Sequence, residues 1–197
     1  QLTEALGNRT ISFTSKIKGQ GRSLNDVIGN LDVKNFTMIG EGQNITLNQV
    51  NINANNGLLG KSLDAQTDFG ELHLVGQYDY EALPQSIMRT LEHYLPSLIQ
   101  AKSQYPLSYG KANYAFTLRL NDTKLLNSLL KTPITSSHAM RLTGIVRERQ
   151  HELDLNVNAP DVTYKGQQIK KLQLNINSEP QGLVTTISAE RKGEQGP

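Results

Sequence analysis

Apolar and polar residues alternate along most of this chain. In 10–19, TISFTSKIKG, Ile11, Phe13 and Ile17 fall on one side. In 71–80, ELHLVGQYDY, Leu72, Leu74, Gly76 and Tyr78 do the same. A period of two marks a strand with one buried and one wet face. The signature recurs over 30–39, 44–54, 61–67, 113–120, 140–149, 151–158, 161–165, 168–178 and 182–190. It slips parity twice. Leu31 and Val33 give way to Phe36 and Met38, and Ile45 and Leu47 give way to Val50 and Ile52. A one-residue slip predicts a bulge or kink, here near Asn35 and near Asn48–Gln49.

The period changes at 83–99, LPQSIMRTLEHYLPSLI, where Ile87, Leu91 and Leu95 are spaced i, i+4, i+8. Pro84 suits a first helical turn, and Pro96 ends the pattern. This predicts one amphipathic helix over about 84–95, laid by a single apolar stripe across a sheet. A second, short helix is expected over about 122–131, capped by Asn121 or Asp122. The layout is then five strands, a helix, one strand, a short helix and five more strands. Residues 1–99 form a first meander with its helix, 100–112 a connecting loop, and 113–197 a second meander. Short Gly-, Asn- or Pro-rich connections favour antiparallel pairing, so the two halves are expected to share one continuous sheet.

Part of the pattern occurs twice. In 161–177, DVTYKGQQIKKLQLNIN, the residues Val162, Tyr164 and Gly166 match Phe36, Met38 and Gly40 of 35–55. Leu172, Leu174 and Ile176 then match Val50, Ile52 and Ala54, with four extra residues in the first copy around GEGQ. A repeated hairpin implies a sheet built by addition.

Composition narrows the function classes. Hydrophobic residues are 37% and charged residues 19% of 197, both below ordinary globular usage, with Asn and Gln filling the difference. A thick core wrapped on every side is therefore not expected. The net charge of +2 is spread out, with no basic stripe interleaved with aromatics, so nucleic acid is not an expected partner. With no cysteine, disulfide, thiol and Cys–zinc chemistry are excluded. His73, His93, His138 and His151 form no metal-spaced pair, and no nucleophile elbow or phosphate loop occurs. Asp79 and Glu81 flank Tyr80, but nothing in the sequence sets two carboxylates apart in role. No enzyme activity, cofactor or metal is expected. The chain begins and ends within its pattern, as an internal segment of a longer protein would.

The order of features in IKGQGRSLNDVIGNLDVKNFTM, ITLNQVNINAN and SLDAQTDFGELHLVGQYDYEALP, followed by a helix ending HYLPSLI, resembles the TamB/AsmA-like envelope proteins, particularly the TamB-like proteins of Bacteroidetes. Asp64, Gly76, Tyr78 and Leu83 fall near places of that family's pattern, and DVTYKGQQIKKLQLNIN resembles its hairpins. The similarity covers about 11–99 and, more loosely, 113–190. It implies a mainly β fold: a curved antiparallel sheet forming a groove or half-pipe, "β-taco"-like, with an apolar lining. It also implies an internal periplasmic segment of a protein whose full length is anchored to the inner membrane. The implied role is lipid (phospholipid) transport between inner and outer membrane in outer-membrane biogenesis, with an outer-membrane barrel protein as a further partner.

The expected groove lining is Ile11, Phe13, Ile17, Leu31, Val33, Ile45, Leu47, Val50, Ile52, Leu63, Leu72, Leu74, Phe116, Leu118, Leu142, Leu153, Leu155, Val157, Leu172, Leu174, Ile176, Leu183 and Ile187. Two helices of this length cannot hide the inner faces of ten strands, so the sheet either folds on itself or leaves a trough. Two other functions fit the residues. One is a scaffold that offers strand edges to outer-membrane proteins with a TamA-type barrel. The other is a secreted carbohydrate- or protein-binding β-sandwich, which would expose Tyr105, Tyr109 and Tyr114.

Overall fold

A computed structural model describes residues 10–40, 43–58, 60–94, 110–121, 123 and 134–191. They form one open antiparallel sheet of eleven strands. The strands are β1 (Thr10–Gln20), β2 (Ile28–Gly40), β3 (Gln43–Gly57), β4 (Gly60–Thr67), β5 (Gly70–Gln77), β6 (Asn113–Leu120), β7 (Ile134–Thr135), β8 (Met140–Arg147), β9 (Glu152–Tyr164), β10 (Gln167–Glu179) and β11 (Gly182–Arg191). Neighbours in sequence are neighbours in the sheet, except that β6 pairs with β8 while the two-residue β7 pairs with β9. Helix α1 (Leu83–Tyr94) is inserted between β5 and β6. The two expected meanders are thus halves of one sheet. The short helix expected over 122–131 lies, apart from Thr123, outside the described residues, as do most of the 100–112 loop and Leu95.

The predicted parity slip at Asn35 is a bulge. Asn35 takes φ 53°, and the β1–β2 register shifts between Ser12 and Thr14 opposite it. The β2–β3 ladder steps from the Lys34–Gln49 pair to Phe36–Leu47, passing Asn35 and Asn48. Phe13 and Phe36 stack across the shift at 6.3 Å.

The second copy of the repeat, hairpin β9–β10, carries the same device. Lys171 takes φ 50°, the β10–β11 register shifts between Lys170 and Gln173, and the β9–β10 ladder steps from Lys170–Asp161 to Leu172–Ala159. Pro160 lies opposite Lys171 at that gap. This corrects one expectation: 151–158 and 161–165 are one strand, because a proline at a bulge level removes no ladder hydrogen bond.

Face assignment follows from the register. Ile17, Leu31, Ile52, Ala65, Leu72, Leu118, Leu142, Val157, Leu174 and Ile187 pair in succession across ten strands. One residue along each strand, on the opposite face, the row reads Lys16, Asp32, Asn51, Gln66, Glu71, Arg119, Arg141, Asn158, Gln173 and Ser188. The sheet therefore has one apolar and one polar side, and α1 sits on the apolar one.

Under α1 lies the core: Leu74, Tyr78, Tyr114, Val146 and Leu153, with Leu83, Ile87 and Leu91 of the helix packed on it. Tyr114 is buried, so it is not one of the exposed aromatics that the sandwich reading requires. Tyr105 and Tyr109 are outside the described residues. Ser86 and Thr90, also buried, return their hydroxyls to the helix's own carbonyls, Leu83 and Ser86, at 2.8 Å each. The roof is pinned at its far end. Arg89 pairs with the buried Glu148, whose other oxygen accepts the Ala112 N–H at 3.2 Å. Tyr94 donates to the His151 carbonyl at 2.7 Å, and the His93 and His151 rings stack at 3.9 Å.

Candidate functional site: an apolar face with two cavities

Helix α1 covers the row that runs through Tyr114, Val146 and Leu153. It does not reach the ten-residue apolar row two rows away. In that row the eight inner members are half-buried, while the outermost, Ile17 and Ile187, are 73% and 66% exposed. At about 4.8 Å per strand the row is roughly 43 Å long. A bilayer's hydrocarbon core, two chains thick, is about 30 Å. The row therefore exceeds the length of one extended acyl chain.

The structure sorts the expected lining. Nine of its members lie in this row. Leu74 and Leu153 belong instead to the core, because α1 covers them, and Ile45 is buried beyond the bulge. Leu63, Phe116, Leu155 and Ile176 form the adjoining row with Leu74. Val33 and Val50 pair on the other side of the open row, and Leu172 lies at the corresponding level of the second hairpin. Ile11, Phe13 and Leu47 lie at or past the Asn35 bulge, and Leu183 pairs with Ser178 at the helix end of the sheet.

A cavity of about 330 Å³ opens on the apolar face near the β1 edge. It is lined by Ile17, Lys18, Gly19, Val27, Gly29, Asn30, Leu31, Ile52, Ala54, Leu63 and Tyr80. Its shape is set by side-chain size. Gly19, Gly29 and Ala54 pair in register and leave a trench between the taller Ile17–Leu31–Ile52 row and the connection before α1. Asn25 accepts the Tyr80 N–H at 2.8 Å, which ties the β1–β2 connection to that segment and closes the trench on one side.

One row towards the helix is a second cavity of about 300 Å³, with a different chemistry. Its lining includes Asn56, Gly60, Lys61, Gly76, Tyr78, Asp79, Ser86 and Lys111. Gly60 and Gly76 take φ of 132° and 138°, where a side chain is strained. A Cβ on Gly76 would also run into the β6 backbone at Asn113 and Tyr114. Lys61 faces inward, paired with Gly76, and its side chain is only 16% exposed. Its ammonium donates to the Tyr78 carbonyl at 2.7 Å, lies 3.5 Å from Asp79, and stands 5.6 Å from the ring centres of both Tyr78 and Tyr80. Burial, and secondarily the nearby Tyr80, holds the Tyr78 hydroxyl well above the ordinary tyrosine range, so it remains a neutral donor. That hydroxyl is buried and has no hydrogen-bond partner among the described residues.

Sequence reasoning placed Leu63 on the inner parity but passed over Lys61, two residues earlier on the same parity. A charge at an apolar position was the signal available.

The polar face is hollowed as well, by about 770 Å³ lined by Asp32, Asn51, Gln66, Glu71, Arg119 and Arg141 among others. There Asp64 and His73 pair at 2.5 Å. No cluster of three metal-ligating side chains occurs among the described residues, and no described helix is long and apolar enough to cross a membrane. Comparison with protein-family models, with curated proteins and with solved structures gives no match for this chain.

Proposed function

We propose that this chain is a lipid-binding segment of a TamB/AsmA-like envelope protein, carrying acyl chains along the part of the sheet's apolar face that α1 leaves uncovered. The observation behind it is the ten-strand apolar row, which is continuous, half-buried over its eight inner members and beyond the reach of α1. At about 0.8 kcal/mol per buried CH₂, a 16-carbon tail gains on the order of 10 kcal/mol before losses to chain ordering. Dispersion and hydrophobic contacts are non-directional, so a chain can slide from Leu72 to Leu118 to Leu142 without crossing a specific bond. In this role the segment works in the periplasm, between the two membranes, as part of a membrane-anchored protein.

The test is native mass spectrometry with lipid extraction on the protein purified from membranes. Lipid should co-purify with the native chain, and Leu118→Lys together with Leu142→Lys should remove it while circular dichroism stays that of a folded sheet. A native chain that carries no lipid and takes up none from phospholipid vesicles overturns the proposal.

A second role, as a scaffold for outer-membrane protein assembly, is favoured by one feature: among the described residues, β1 and β11 are both open edges. The same double variant separates the two, since a scaffold would work without its lipid.

A further inference from the structure

The two cavities lie side by side on one face. Ala54 and Leu63 pair across β3–β4 in the lining of the apolar cavity, and Asn56 and Lys61 pair one row further on in the lining of the polar one. Adjacent same-face positions are two residues apart, about 7 Å along a strand. Lys61 stands at the junction, equidistant from Tyr78, which lines the polar cavity, and Tyr80, which lines the apolar one.

We infer that the pair is a single seat for an anionic amphiphile: the apolar trench takes the end of an alkyl chain, and the polar cavity takes a negatively charged headgroup. This rests on the lipid-binding reading of the same face and names the class of ligand. Two features point to an anion. The Lys61 ammonium is largely withdrawn from water, where a charge-assisted hydrogen bond is stronger than at an exposed site. Lys111 stands exposed on the rim, so the two lysines outweigh the one carboxylate of the lining, Asp79. The glycine floor at Gly60 and Gly76 leaves the room. At roughly 30 Å³ per water-sized group, the trench holds on the order of ten methylenes.

The test compares three probes that share one tail: dodecyl phosphate, dodecyl maltoside and dodecyltrimethylammonium, titrated calorimetrically below their micellar concentrations. The phosphate should bind at least about tenfold more tightly than the other two. Lys61→Met should erase that preference by bringing phosphate affinity down to that of the other two probes. Equal binding of phosphate and maltoside, or a preference that survives Lys61→Met, overturns the headgroup site and leaves the lipid-binding reading standing. Binding of none of the three overturns both.

Discussion

Leu72 and Leu74 are the same residue type, two positions apart on β5, facing the same side of the sheet. Leu74 is 2% exposed in the core under α1, whereas Leu72 is half-buried in the open row. The contrast repeats on β9, where Leu153 is core and Val157 is not. Nothing in the strands themselves separates the two ends. A helix of twelve residues spans about 18 Å, enough to roof one end of a sheet this wide but not all of it. The alternation that builds a core where it is covered presents a greasy surface where it is not.

The largest expected effect tests that contrast directly. Leu74→Ala removes a side chain packed on all sides and should cost about 3 kcal/mol, read as a drop in the urea midpoint at constant slope. Leu72→Ala should cost about 1 kcal/mol or less, because its neighbours leave it half in water already. Equal costs would mean that the open row is closed in solution.

Removing the pin on the roof should have a smaller effect. Glu148→Ala takes the partner from Arg89 and the acceptor from the Ala112 N–H. A cost of about 2 kcal/mol is expected, discounted because Arg89 remains about a quarter exposed. Hydrogen exchange should quicken at β5, β6 and β8 amides beneath α1 and stay unchanged at β1 and β11. A uniform change across the sheet would show that α1 stabilises the whole molecule rather than one end.

The smallest effect has the opposite sign and lies far from the roof. Lys165 and Gly166 turn β9 into β10 with φ of 49° and 81°, the signs of a type I′ turn. Lys165→Asn should stabilise by about 0.5 kcal/mol, since Asn tolerates that backbone better, and should leave lipid binding untouched. A loss of stability would mean that the lysine, whose ammonium lies 5.3 Å from the Tyr164 ring centre, does more than turn the chain.

Much of the architecture can be read from the order of residues. Alternation marks the strands, and the switch of period at Leu83 marks the helix. The parity slip at Phe36 marks the bulge at Asn35. The corresponding bulge at Lys171 was missed, although the repeat that aligns Leu172 with Val50 points to that level. Pro160 misled, because a proline in an inner strand reads as a break unless the gap in the ladder opposite it is known. Lys61 was missed because parity was followed only for apolar residues.

The sequence by itself settled which residues share a face. A strand's side chains alternate with a period of two whatever surrounds them, so polarity along each strand assigns its apolar and its polar side. Only the tertiary structure decided which part of the apolar side is core and which is groove, and that Lys61, Tyr78 and two glycines meet beside the trench. Those outcomes depend on where one short helix lands and on contacts between β3, β4 and the segment after β5. Such contacts arise from packing across strands, which no local pattern in the chain encodes.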